Sequence, residues 1–305
     1  MSDHRILLIE SSASLSLDKG RLRIRREGFD DSFVLPRDIA VLCLHHHTIQ
    51  ISVQALRALA DAGASVMVTD ETHHPCAWMF PQIGNGDLVR RLRQQIALDT
   101  SHIKGLLWQA IVQARLKTQA ANLRALNRNG ALRLERLAKE VQPADKTKCE
   151  GKGAKHYWTY LFDSNFKRVK QGAEDAINTR LNFGYAVLRS MVARSLVMAG
   201  LNPALGLGHS NMENPFNLAD DFMELFRFVV ERHVASGTFG EFDGIARKRV
   251  LEFVGYEIKF NGAGYRLPAA INECVASFVR ILDGRAEKLP LPQDAIVLRD
   301  EEKWE

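Results

Sequence analysis

The chain has 305 residues, 46% of them hydrophobic, with 41 Lys and Arg against 36 Asp and Glu. This is enough apolar material for a sizeable core, in one large domain or, as expected here, two ordinary ones. No apolar run reaches the roughly 18 residues of a membrane span, and "MSDHRILLIESS" lacks the apolar core and cleavage site of a signal peptide, so a cytoplasmic protein is expected.

Cys43, Cys76, Cys149 and Cys274 are scattered without CxxC spacing, which suggests neither a disulfide framework nor a zinc knuckle. Charge is unevenly spread. Residues 1–80 carry 8 basic against 10 acidic side chains, residues 81–170 carry 18 against 7, and residues 171–305 carry 15 against 19. The basic middle third suits a polyanion, because each phosphate neutralised releases a condensed counterion. Solvated basic helix faces would produce the same count.

In chain order, "RILLIE", "LSLDKGRLRIRR" and "DIAVLCL" predict short strands, with a turn at Asp18-Lys19-Gly20. "SVQALRALADAG" predicts a helix with Ser52 as N-cap, Leu56, Leu59 and Ala60 on its apolar face and Gly63 as its stop, followed by the strand "SVMVTD". The glycines and proline of "PQIGNG" mark a linker over 81–88, between a β-rich domain (1–80) and a helical one (89–305). The 40 residues from Asp87 read as helices with a cationic outer face. A further helix is predicted over about 176–199, with Leu181, Tyr185, Leu188, Val192 and Leu196 as its stripe and Gly200 as its stop. The last fifteen residues read as a charged, poorly ordered tail. The expected fold is therefore α+β: a small N-terminal β-sandwich-like domain followed by a larger all-α domain.

"GHSNMENPFNLADDFMELFR", residues 208–227, holds the first chemical candidate. With Asn217 as N-cap, Asp221 falls at the edge of an apolar sector and Glu224 about 60° further round, so both carboxylates can point into one groove. They can equally be first-turn acids that complement the helix dipole. His209 precedes them in a glycine-containing loop, and one imidazole with two carboxylates makes an open site for Mg²⁺ or Mn²⁺. Gly206 and Gly208 alone are too weak a signal for a phosphate loop. A third acid, Glu150, stands among Lys146, Lys148, Lys152 and Lys155; it is either a metal ligand beside lysines that hold a nucleic-acid backbone, or plain charge balance. The histidines of "HHH" (45–47) and "THHPC" (72–76) bring no acids or cysteines at zinc-site spacing and are read as strand-end residues.

Together, "KCEGKGAKHYW", "INTRLNFGYAVLRSMVARSLVMAGLNPALGLGH" and "FNLADDFMELFR", in that order, resemble the CRISPR adaptation integrase family, and "DETHHP" is most similar to its members from single-effector systems. The resemblance covers nearly the whole chain. It implies a metal-dependent DNA integrase and endonuclease that inserts spacers into CRISPR arrays by attack of a 3′-hydroxyl on a phosphodiester. It also implies Glu150, His209 and Glu224 as catalytic metal ligands for Mg²⁺ or Mn²⁺, Asp221 as their support, and Asn178 and Tyr185 lining the same cleft. Which of Asp220 and Asp221 takes the supporting position stays open, because the loop before them is irregular.

The partners it implies are double-stranded DNA with single-stranded ends, CRISPR repeat DNA, a second copy through the β domain, a small ferredoxin-like adaptation protein and the RNA-guided effector, in the bacterial cytoplasm. Two other readings of the residues are another metal-dependent DNA or RNA repair nuclease and a non-catalytic helical DNA-binding protein.

Overall fold

The computed structural model describes residues 5–70, 75–81, 87–170, 172–237, 241–260 and 262–297. Among the described residues, its N-terminal part is two four-stranded sheets, one α-helix and a short 3-10 turn at Pro36–Asp38. β1 (Arg5–Ile9), β5 (Ile39–Leu44), β7 (Ser65–Thr69) and β8 (Pro75–Met79) form a mixed sheet in the order β1-β5-β7-β8. β1, β5 and β7 run parallel and β8 returns antiparallel. β2 (Ser14–Asp18), β3 (Arg21–Arg25), β4 (Ser32–Val34) and β6 (Gln50–Ile51) form the second, in the order β4-β3-β2-β6. Lys19 and Gly20 both have positive φ, 46° and 77°, the tight turn that matches the right-handed twist of the β2–β3 hairpin. α1 (Val53–Asp61) begins where the Ser52 side chain accepts from the Ala55 N–H at 3.2 Å.

Period-2 alternation explains how the first sheet is placed. In β5, Leu42 joins a core shared with Leu15, Leu22, Ile24 and Leu59, while Val41 and Cys43 on the opposite face join the core of the helical part. The sheet is thus covered on both faces, which is why "IAVLCL" is a continuous apolar run. The polar contacts agree: Trp78 Nε1 donates to Ser190 Oγ at 3.0 Å, and Arg194 Nε donates to the Gly63 carbonyl at 2.5 Å.

The helices are α2 (Leu88–Asp99), α3 (His102–Ala125), α4 (Ala131–Glu140), α5 (Cys149–Leu161), α6 (Ala176–Met198), α7 (Asn217–Met223), α8 (Arg227–Ser236), α9 (Gly244–Leu251) and α10 (Leu267–Leu282). α3 is central, packed against α4, α5 and α8. The cationic outer face expected for residues 87–126 is therefore only partly present: Arg91 and Arg115 are both buried, because the helices that carry them are covered by neighbours. The all-α expectation is also corrected. β9 (Glu257–Phe260), β10 (Ala263–Arg266) and β11 (Pro292–Val297) form a three-stranded antiparallel sheet in the order β10-β9-β11. Part of the expected tail is thus a strand, since β9 offers β11 a free ladder edge; residues 298–305 lie outside the described residues. None of the described helices is long and apolar enough to cross a membrane, and all four cysteines are free thiols.

Candidate functional site

Glu150 is set by a strained turn. Ala144, Asp145 and Lys148 all have positive φ (60°, 46° and 52°), a conformation that costs non-glycine residues energy unless the surroundings enforce it. What enforces it is Asp145, whose carboxylate accepts from the Cys149 N–H at 2.8 Å and the Glu150 N–H at 3.0 Å, capping the start of α5. Glu150 then reaches Arg115, whose Nη1 lies 2.8 Å from Glu150 Oε1. The lysines do not take part: Lys146, Lys148, Lys152 and Lys155 are exposed and make no ion pair among the described residues, so Glu150 is not their charge balance.

Glu224 comes to the same guanidinium nitrogen, with Oε2 accepting from Arg115 Nη1 and Oε1 lying 3.1 Å from Arg227 Nε. The expected continuous helix from Asn217 is broken, α7 ending at Met223 and α8 starting at Arg227, with Glu224 in the bend between them. Asn217 is not the N-cap. It lies inside α7, and its amide ties down the preceding loop by accepting from the Asn211 N–H and donating to the carbonyls of Ala204 and Asn211. Glu224 is 2% exposed, so its position off the apolar sector of a helical wheel did not make it a surface residue.

The His209 loop is organised by Asp221, which is fully buried. Its carboxylate accepts from the backbone N–H groups of Leu207 (2.5 Å), Gly208 (3.1 Å) and His209 (3.0 Å), and from His209 Nδ1 at 2.8 Å. A carboxylate has no proton to give, so in the neutral ring Nδ1 carries the proton and Nε2 the lone pair. The hydrogen bond to Asp221 outweighs burial and lifts the imidazole's pKa above its ordinary 6.5. Gly208 is needed for close approach, since a Cβ there would run into the Trp108 ring, which meets His209 edge-on at 5.7 Å. Asp220 points elsewhere and accepts from Arg189 Nε at 2.7 Å and Asn214 Nδ2 at 2.8 Å. Of the two adjacent acids, Asp221 is the one that contacts His209.

His209 opens onto a cleft of about 720 Å³ whose wall includes Tyr185, Arg168, Lys170, Arg189 and Arg227 from the helical part and Trp78 from β8. Arg168 and Arg227 both lie over the Tyr185 ring, at 5.3 and 4.9 Å, and Tyr185 Oη donates to Glu231 Oε1 at 2.7 Å. Asn178 does not line this cleft. It is 1% exposed and holds the segment carrying Arg168, accepting from Arg168 Nη1 and the Val169 N–H at 2.9 Å and donating to the Lys167 carbonyl at 2.8 Å. His45 is buried against Thr69, His46 and His47 stack on each other, and His73 and His74 lie outside the described residues.

The donor set, two carboxylates and an imidazole with Nε2 free, suits a divalent cation in its chemistry. The geometry is less gathered: among the described residues no three acidic, histidine or cysteine side chains come close enough together to hold an ion. Glu150 and Glu224 meet at a cation already present, Arg115, while His209 stands apart with Asp221.

Sequence reasoning does not single out Arg115, Glu231, Asp145 or the cleft arginines. Arg115 leaves a trace, lying seven residues after Trp108 and seven before Asn122, inside the apolar run of α3. Glu231 leaves a similar one, an acid within "FRFVVERH".

Two sheets with a shared core, packed against a mainly helical part, with an imidazole and arginines on one open cleft, define an α+β protein with a basic cleft. The chain belongs to the family described as CRISPR associated protein Cas1, whose model matches residues 6–238. It is 33% identical over 297 residues to the CRISPR-associated endonuclease Cas1 of Neisseria meningitidis serogroup C (strain 8013), covering 95% of this chain and 96% of that protein. Its fold is similar to that of a casposase bound to integration product (TM-score 0.79, 19% identity, 93% of this chain and 92% of that one). It is also similar to a Cas1 protein from Thermotoga maritima (TM-score 0.71, 15% identity, 92% and 97%) and to a chain of a Cas6-RT-Cas1–Cas2 complex (TM-score 0.74, 17% identity, 94% and 36%).

Proposed function

We propose that this protein is a divalent-metal-dependent DNA integrase and endonuclease that joins a DNA 3′-hydroxyl to a backbone phosphodiester, inserting spacers into a CRISPR array. The observation that carries the reading is the meeting of Glu150 and Glu224, from distant parts of the chain, beside a basic cleft into which Asp221 holds His209. Membership of the family and the names of its relatives, an endonuclease and a casposase with its integration product, support it.

Glu150, His209 and Glu224 would hold Mg²⁺ or Mn²⁺, which supplies activation of the attacking hydroxyl and neutralisation of charge on the phosphoryl oxygens. The rest falls to the chain's own residues. Asp221 fixes the imidazole so that Nε2 faces outward. Arg168, Arg189 and Arg227 place positive charge where a phosphodiester backbone enters the cleft. Exposed Lys146, Lys148, Lys152 and Lys155 extend that charge along the DNA. The proposed assembly is a homodimer through the β domain, with the small adaptation protein as its partner.

The test is joining of a labelled duplex with free 3′-hydroxyl ends to a supercoiled repeat-bearing plasmid. Joining that needs the 3′-hydroxyl and a divalent cation supports integration; cleavage without joining indicates a repair nuclease instead. The non-catalytic reading has one observation in its favour, the guanidinium already seated on both acids, and predicts DNA binding with neither product.

A further inference from the structure

Arg115 is placed where a cation site would have its cation. It is 5% exposed, on the buried side of α3, and its Nη1 binds both Glu150 and Glu224. Without it, the buried Glu224 carboxylate and the half-buried one of Glu150 would face each other as like charges with no guanidinium between them.

Glu231 gives the arrangement a second half. It is fully buried, its Oε1 accepts from Tyr185, and its Oε2 makes no well-aligned hydrogen bond among the described residues, although the Tyr157 hydroxyl lies near the carboxylate. Arg115 Nε is likewise buried without one among them. A buried carboxylate oxygen and a buried guanidinium nitrogen without aligned partners, in each other's field, are costly groups that a movement bringing them together would satisfy.

Resting on the metal reading above, we propose that Arg115 is a placeholder cation: it keeps Glu150 and Glu224 converged while no metal is bound, and moves toward Glu231 when a divalent ion takes their oxygens. Metal binding is then a cation exchange, weakened by the contacts Arg115 gives up and helped by those it gains at Glu231. Arg115 and Glu231 are positioning residues on this account, since neither needs to touch DNA.

The full-length protein should be titrated with Mn²⁺ alone, by calorimetry or by the loss of the free-ion paramagnetic resonance signal, with metal-free melting recorded for every variant. Arg115→Met is expected to bind Mn²⁺ at least about tenfold more tightly than wild type, with a lower metal-free melting temperature. Glu231→Gln is expected to bind it about tenfold more weakly. In the Arg115→Met background, Glu231→Gln is expected to change affinity by no more than about twofold, because the relay it serves is gone. If Arg115→Met does not fold, Arg115→Lys replaces it, since its shorter point charge cannot bridge both acids. Unchanged or weaker Mn²⁺ binding on loss of the guanidinium overturns the placeholder, as does a Glu231 effect that persists without Arg115. If the wild type and all variants fail to bind Mn²⁺, the metal reading falls as well.

Discussion

Asp221 binds His209 twice, once at the ring Nδ1 and once at the backbone N–H, and the same carboxylate holds the two residues before it. One buried acid therefore sets both the shape of the loop and the tautomer of the imidazole. Asp221→Asn keeps the volume but replaces one acceptor oxygen with a donor that faces N–H groups. Strand-transfer rates are expected to fall about 10- to 100-fold. A variant that keeps wild-type rates would show that orientation of His209 does not limit the reaction.

Glu224 is a buried charge, so its two obvious substitutions should differ. Glu224→Ala strips a partner from the buried Arg115 guanidinium and is expected to cost about 3–5 kcal/mol of stability. Glu224→Gln keeps an acceptor oxygen and should cost clearly less. Both are expected to abolish joining. Denaturant unfolding of the two variants checks this, and equal stabilities would contradict the buried pairing.

Asp283 ties α10 to α2. It accepts from Arg91 Nη1 at 2.5 Å, Arg90 Nη1 at 2.9 Å and Gln94 Nε2 at 3.1 Å, with Arg285 also paired to it. The hydrogen bond from Arg91 is the main cause, ahead of opposing burial, that holds its carboxyl well below the ordinary value of 3.8. Because the folded-state pKa is depressed, the stabilisation is present above the unfolded value and lost as pH falls through the folded one. Melting temperature should therefore drop as the solution is acidified below about pH 4. In Asp283→Asn the melting temperature should be lower at neutral pH and the acid dependence shallower.

DNA binding should weaken steeply with salt. Replacing Lys152 or Lys155 by Gln is expected to reduce the slope of log affinity against log salt by about one for each phosphate no longer neutralised. An unaltered slope in these variants would remove those lysines from the DNA path.

How much of this is legible in the sequence follows from which forces leave a local signature. The hairpin at Lys19-Gly20, the Ser52 cap and the Gly200 stop are settled by a few neighbouring residues, and they form as their sequences suggest. The meeting of Glu150 and Glu224 at one guanidinium, with His209 apart on Asp221, has no signature in the spacing, because no spacing rule joins residues so far apart in the chain; only a resemblance names the three together. What stays hidden is decided by packing. Arg115 counts among outward cations in the sequence because charge alone does not tell the covered side of α3 from the wet side that Lys117 and Arg124 occupy. Asn217 reads as a cap because asparagine favours caps, yet the loop it anchors claims its side chain first. The strand β11 escapes notice because its partner edge on β9 is distant in sequence.

The most direct measurement is a strand-transfer assay with wild type and Glu150→Gln side by side, at DNA concentrations that saturate both and with Mn²⁺ supplied. Covalent joining of 3′-hydroxyl ends to repeat-bearing DNA is predicted for the wild type, abolished by metal chelation and by Glu150→Gln while DNA binding persists. Joining by Glu150→Gln at the wild-type rate, or wild-type joining unaffected by chelation, would contradict a metal site built on Glu150.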